Sequence, residues 1–320
     1  MLPLPLLAAA ALALPPTRIA VTGATGRLGR QAVRTLLEQG YAVRVLLRRT
    51  PSPRDPPSLA PSAPPSAVAA WLAAAPEVEV VHGDVTDPAC LVTLLDGCDA
   101  CLALHGARRM RRLRDLWADP TAEAAHSAQV NWRAVAHLLA AARASGRCRR
   151  IVRVTGKGES PWSVPSILIN ALGSMAKAYN YEGEQLLRAA KGEVEYTIIR
   201  PGVMAAADAP PPKSLALADD GGELRVSAIP YGAVARLCVD VLRTPGAACA
   251  TLTAMTVPSG EGEDSWAPLL AKVRPDRRQF RADLLQEHQR AVRVAAVVGG
   301  AVLALLLAAV GALIARLVGA

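Results

Sequence analysis

The strongest constraint on this chain lies at residues 17–49, TRIAVTGATGRLGRQAVRTLLEQGYAVRVLLRR. A short apolar run at 19–21 leads into the turn Thr22-Gly23-Ala24-Thr25-Gly26-Arg27-Leu28-Gly29. Leu28, Ala32, Val33, Leu36 and Leu37 then recur at helical spacing, and Gly40 stands where a helix would stop. A second apolar run at 42–47 leads into Arg48-Arg49. The pattern predicts strand, turn, helix, strand: one βαβ unit.

Each glycine has a mechanical reason. Gly23 permits a tight turn out of the strand, Gly26 lets the backbone approach a pyrophosphate, and Gly29 lets the helix pack closely on the strand. The diphosphate would rest at the helix N-terminus, where unpaired N–H groups and the dipole favour negative charge. Thr25, Arg27 and Leu28 belong to the same turn and join the expected dinucleotide-binding set. The flanking strand, helix and strand favour this over a glycine-rich surface turn. NAD-selective folds place a carboxylate at the end of the second strand, but this chain has Arg48 and Arg49 there, and the nearest acid is Asp55. A guanidinium suits a 2′-phosphate, so NADP(H) is expected over NAD(H); the alternative is a solvated basic loop.

Length allows one sizeable domain plus extras. Apolar residues reach 52% but aromatics only 3%, so the core must be built from Ala, Val and Leu. The net charge of +9 comes largely from arginine clusters at 108–114, 147–153 and 274–281. No stacking aromatics or nucleic-acid motif accompany them, so no nucleic-acid partner is expected; an anionic membrane surface or an acidic partner fits better. Cys98-x-x-Cys101 is the one close pair among six cysteines, and no second pair completes a metal site. Buried free thiols in a reducing compartment are favoured over a redox pair.

Residues 1–16 are apolar and proline-punctuated, without a basic leader, and are set outside the fold as a disordered tail or the remnant of a targeting segment. A Pro/Ser-rich stretch, 50–65, reads as an inserted loop, followed by a helix at 67–75. Strands are expected at 78–81, 100–104, 150–155, 195–199, 223–226 and 251–257, and helices at 88–95, 122–145, 231–242 and 265–272, with 166–191 mostly helical and 203–220 a loop. Thr86 or Asp87 would cap the helix at 88–95. Asp84, with Val85 beside it, follows the third strand and is placed to contact an adenine edge. His105 and Gly106 mark the end of the fourth strand, where open parallel sheets bind ligands. The segment 108–114 covers the cofactor or binds a partner. Asn131 and His137 are expected to make helix or solvent contacts.

These motifs together resemble the extended or atypical short-chain dehydrogenase/reductase family over about residues 18–258. The resemblance rests on TGATGRLG, on GDVTD after the third strand, on RCRRIVRVTG, on EYTIIRPGVM and on YGAVARLCVDVL. It implies a doubly wound parallel α/β sheet, Rossmann-like, that binds NAD(P). Family enzymes reduce a carbonyl with a tyrosine acid, a lysine four residues later that lowers its pKa, and a hydroxyl at the end of the fifth strand. Thr155 fills the hydroxyl position. The YxxxK spacing is absent: Gln185 follows Tyr181 at that offset, and Gly183 follows Tyr179. Lys177 precedes Tyr181 by four residues, which allows a shared helix face in reversed order. Members without the tyrosine often carry an acid in this helix, and Glu184 fits that description.

The tail closes the reading. Residues 294–315, VAAVVGGAVLALLLAAVGALIA, contain no charge and reach about 33 Å as a helix. Arg274, Arg277, Arg278, Arg281, Arg290 and Arg293 precede it and Arg316 follows. A membrane span that anchors the domain to a bilayer is expected over a buried helix. The expected plan is a domain at 17–258, a basic helical linker at 259–293 and a transmembrane helix at 294–315. Two functions compete: an NADP(H)-dependent oxidoreductase, or a non-catalytic NADP(H)-binding scaffold, sensor or assembly factor with a membrane-protein partner. By analogy with family members, a plastid membrane is the expected location.

Overall fold

The computed structural model describes residues 17–48, 58, 63–207 and 209–318. Residues 1–16, Arg49 and most of the Pro/Ser-rich stretch therefore lie outside the described residues. β1 (Arg18–Thr22), β2 (Ala42–Leu47), β3 (Val78–His82), β4 (Ala100–Ala103), β5 (Arg150–Val154), β6 (Glu195–Pro201) and β10 (Ala250–Thr256) run parallel in the order 3-2-1-4-5-6-10. The short β8 (Leu215–Ala218) closes the far edge antiparallel to β10, and β7 (Val203–Ala205) pairs with β9 (Ala228–Pro230) as a separate ribbon. The order reverses between β1 and β4, which creates a crevice at the strand ends.

Central strands in such a sheet are covered on both faces and read as continuous apolar runs. Ile19, Ala20 and Val21 of β1 are fully buried, as are Cys101 to Ala103 of β4. Two cores result. On one face α1 (Arg27–Glu38), α2 (Pro65–Ala74) and α7 (Tyr231–Asp240) pack through Ala32, Val33, Leu36, Val68, Val234 and Leu237. On the other, α3 (Pro88–Leu95), α4 (Ala134–Ser145) and α6 (Ala176–Ala189) pack through Leu91, Leu94, Leu138 and Leu187. Asp87 caps α3 by accepting from the Ala89 N–H at 3.0 Å. The six cysteines are unpaired thiols, and burial pushes Cys98 up to about 11.

Several expected boundaries shift for physical reasons. The helix expected from 122 begins at a π-helical turn, Ala128–Arg133, because Asp119 and Glu123 hold the preceding residues in turns. The stretch 166–191 is two helices, α5 (Val164–Leu172) and α6, broken where Ser174 and Met175 take positive φ after Gly173. No strand forms at 223–226; extended backbone instead appears at β7, β8 and β9, inside and after the expected loop. The expected linker is part of the domain: Trp266, Leu270 of α8 (Ala267–Leu270) and Val273 join the first core. The long apolar helix α9 (Leu284–Val318) starts ten residues before the expected span, and its first turns pack on α5 and α6 through Leu284, His288, Ala291 and Val292. From Val294 to Val310 its large apolar side chains are exposed, and it is long and apolar enough to cross a membrane.

Candidate active-site cleft

The glycine turn is shaped by contacts that exclude side chains. Gly23 takes φ +73°, a region that costs L residues strain, and a Cβ there would meet the Leu104 carbonyl at 2.7 Å. A Cβ on Gly29 would overlap the Gly23 carbonyl oxygen and lie 2.8 Å from Ala24 Cα. α1 is thus pressed directly onto the turn. No side chain caps α1; its N-cap is Gly26, so the first-turn N–H groups are left to face outward. They look into a cleft of about 890 Å³, a size typical of cofactor sites.

The structure brings nearly all the sequence-predicted residues to this cleft. Gly23, Thr25, Gly26, Arg27, Leu28 and Gly29 line it from the turn, Arg48 from the end of β2, and Asp84 and Val85 from the segment after β3. Asp84 Oδ1 accepts from the Thr86 N–H at 3.0 Å and the Thr86 hydroxyl at 2.9 Å, which fixes its carboxylate. The Arg27 guanidinium lies 5.0 Å over the Tyr231 ring, a cation–π contact that holds it at the rim. Arg49 lies outside the described residues.

Thr155, just past β5, and Lys177 of α6 line the same cleft. The Thr155 hydroxyl donates to Glu184 Oε1 at 2.6 Å. Glu184 is fully buried and also accepts from Arg200 and, at 2.9 Å, from Arg188. Burial alone would raise its pKa, but the two guanidiniums outweigh it and hold the carboxyl below its ordinary range. Glu184 is therefore ionised and has no proton to give. Lys177 Nζ donates to Ser166 Oγ at 2.7 Å, and burial, then Lys157 and Arg200, lower its pKa. Tyr181 takes another direction. Its ring is fully buried, its hydroxyl donates to the Arg281 carbonyl at 2.7 Å, and burial raises its pKa to about 12. The four-residue spacing does not bring Lys177 and Tyr181 to a common partner, and Tyr181 is not among the cleft-lining residues.

Three buried polar residues, His105 in the cleft lining and Arg153 and Asn131 behind it, carry more structure than their sequence positions suggest. His105 Nδ1 lies 2.7 Å from the Thr22 hydroxyl oxygen. Burial, then the Arg153 charge, hold the imidazole well below its ordinary pKa, so it is neutral. Arg153, buried in β5, donates to the Ala103 and His105 carbonyls at 3.1 and 2.6 Å and to Asn180 at 3.1 Å. Asn131 is buried, not solvated. Its Oδ1 accepts from the Ala107 N–H at 2.9 Å and its Nδ2 donates to the Ala176 carbonyl at 3.3 Å, tying the loop after β4 to the start of α6. The helical stripe of Val130, Ala134 and Leu138 carries no signal for this, because the loop is remote in sequence.

Among the described residues no cluster of three His, Cys, Asp or Glu side chains could hold a metal. Comparison with known proteins agrees with the geometry. The sequence pattern of the NAD(P)H-binding family matches residues 23–245. A ceramide reductase of Caulobacter vibrioides is 34% identical over 128 residues, 38% of this chain and 35% of that protein. The chloroplastic divinyl chlorophyllide a 8-vinyl-reductase of Zea mays is 35% identical over 136 residues, 41% of this chain and 28% of that protein. The matched segments thus span about a third of these relatives' length. A short-chain dehydrogenase/reductase of Veillonella parvula, solved in complex with NADP, has the same fold at TM-score 0.55 and 16% identity, covering 78% of this chain and 98% of that one. With the family pattern running from the glycine turn to Pro245, five residues past the end of α7, the chain belongs to the NAD(P)H-binding family.

Proposed function

We propose that this protein is an NADP(H)-dependent oxidoreductase, held on a membrane by α9, that reduces an apolar substrate. One observation carries the reading: a single cleft is lined by the glycine cradle and Arg48 and also by Thr155 and the desolvated Lys177. Arg48 stands where NAD-selective folds carry a carboxylate, and its guanidinium would pair with a 2′-phosphate. When bound, the dinucleotide supplies a hydride. Lys177 holds the proton at Nζ, and its lowered pKa makes the ammonium a better donor than an exposed lysine. Thr155, its own proton committed to Glu184, offers lone pairs that orient Lys177 or substrate. Tyr181 packs α6 against residue 281 and is not the acid.

The two relatives support the substrate class, since ceramide and divinyl chlorophyllide a are both bulky and sparingly soluble. The apolar exposed stretch of α9, with arginines before it, supports the anchor. The maize relative's chloroplast label supports a plastid membrane. A second reading, a non-catalytic NADP(H)-binding scaffold, is favoured by the missing YxxxK spacing and the occupied Tyr181 hydroxyl. The test is NADPH oxidation by the full chain in nanodiscs against a carbonyl and quinone panel. The enzyme reading expects turnover that Lys177→Met reduces to a small residual rate and Tyr181→Phe leaves; NADPH binding with no turnover across the panel favours the scaffold.

A further inference from the structure

α5 is built inside out. Its buried positions are the polar Ser166 and Asn170, while Val164, Leu168, Ile169 and Leu172 are 48–68% exposed. The polar side has partners: Ser166 accepts from Lys177 Nζ at 2.7 Å, and Asn170 accepts from the Lys177 and Ala178 N–H groups at 3.0 and 3.1 Å. An amphipathic helix in water turns its apolar stripe inward. Here the domain side is polar and the outer side is apolar, with Trp162 exposed just before the helix.

This face is continuous with a second one. The Arg111 N–H donates to the Leu172 carbonyl at 2.8 Å, which lays the arginine-rich segment along the end of α5. That segment exposes Met110, Leu113 and Trp117, with Leu113 and Trp117 at 80% and 76%. Exposed Arg108, Arg111, Arg112 and Arg114 rim it. Arg109 is buried and neutralised by Asp115 and Glu123, and Glu123 also pairs with Arg114, so the outward balance stays basic. α9 meets α5 on its polar side, where Asn170 Nδ2 lies 2.9 Å from His288 Nδ1, and the helix leaves the domain within two turns of that contact, so the membrane span starts beside α5. Arg108, Arg112 and Ile169 belong at once to this side and to the cleft lining.

We infer that the outer face of α5 and the arginine-rich segment rest on the leaflet that α9 enters, so that the cleft opens onto lipid. The occupant is a bilayer surface. The apolar residues would sit among acyl chains, the tryptophans at the headgroup level and the arginines against lipid phosphates. An apolar substrate then reaches Lys177 along Ile169 without crossing water. This placement rests on the reading of α9 as a membrane span, and the experiment separates the two.

Full-length protein is reconstituted in phosphatidylcholine/phosphatidylglycerol nanodiscs with and without brominated acyl chains, and tryptophan emission is compared. Brominated lipid is expected to quench the wild type, and Trp117→Phe with Trp162→Phe to lose most of that quenching. Adding Leu168→Trp to the double variant should restore it. Leu305→Trp in the same background reports on α9 alone. If Leu305→Trp is quenched while the wild type is not, or the double variant is quenched as strongly as the wild type, the docking face is overturned and the anchor stands. If Leu305→Trp is not quenched, both fall.

Discussion

On the proposed function, Arg48 and Lys177 are the residues that decide cofactor choice and proton donation. A charge-assisted bond to a 2′-phosphate is worth roughly 1.5–3 kcal/mol. Arg48→Ala should therefore weaken NADPH roughly ten- to hundred-fold while leaving NADH almost unchanged, as read by fluorescence titration. Equal losses for both dinucleotides would remove the 2′-phosphate assignment. Lys177 gives a pH prediction with a fixed sign. Burial, then Lys157 and Arg200, depress its pKa from lysine's ordinary 10.5. Below the depressed value both folded and unfolded chains are protonated and the folded state bears the full penalty; stability is regained as pH rises from there towards 10.5. Activity runs the other way, because the proton donor is lost across the same rise. The alkaline limb of kcat should lie below 10.5 and vanish from the residual rate of Lys177→Met. A limb that is unchanged in Lys177→Met would rule Lys177 out as donor. Tyr181→Phe loses one hydrogen bond, about 1 kcal/mol, and should keep its turnover.

At the scale of elements, the β1–turn–α1 unit and the α6–β6 junction do different work. Gly29→Val would drive a side chain into the Gly23 carbonyl and Ala24, so it should abolish dinucleotide binding and lower Tm together. The junction is an ion cluster: Arg200 and Glu184 are both almost fully buried, and Glu159 and Arg188 extend the pairing. Arg200→Met leaves the buried Glu184 carboxylate with Arg188 as its remaining cation, should cost up to about 3–5 kcal/mol, and should lower Tm by roughly 10 °C in scanning calorimetry. Arg236→Met, at the surface pair with Asp240, should change stability by less than about 1 kcal/mol. The first unit was legible in the sequence because everything that shapes it is local: apolar runs, helical spacing and three glycines within one turn. The junction was not. Glu184 and Tyr181 read as members of one helix, and what decides their roles, Arg200 on β6 and the Arg281 carbonyl, lies far along the chain. The break at Gly173 was hidden for a similar reason. Ser174 adopts positive φ where its hydroxyl accepts from the buried Arg109 at 2.8 Å, a tertiary contact without a sequence signature.

At the scale of the whole molecule, a packed α/β domain and a long apolar helix share one chain. The helix was legible from length and composition, but its start was not, because Leu284, His288, Ala291 and Val292 belong to the domain's packing. A chain ending after Arg293 should lose the carbonate-resistant fraction of its membrane association with an unchanged Tm. One ending after Asp283 exposes the α5 and α6 surfaces those residues cover and should melt earlier. Two equally stable truncations would show that the first turns of α9 add nothing to the domain. On this reading, backbone amides around Gly23–Gly29 hold a nicotinamide dinucleotide at the mouth of the parallel sheet. Titration calorimetry of the full chain in nanodiscs tests it most directly: NADPH should bind with measurable heat and more tightly than NADH, and Gly29→Val should show none. A well-folded wild-type chain that gives no heat with either dinucleotide would contradict the account.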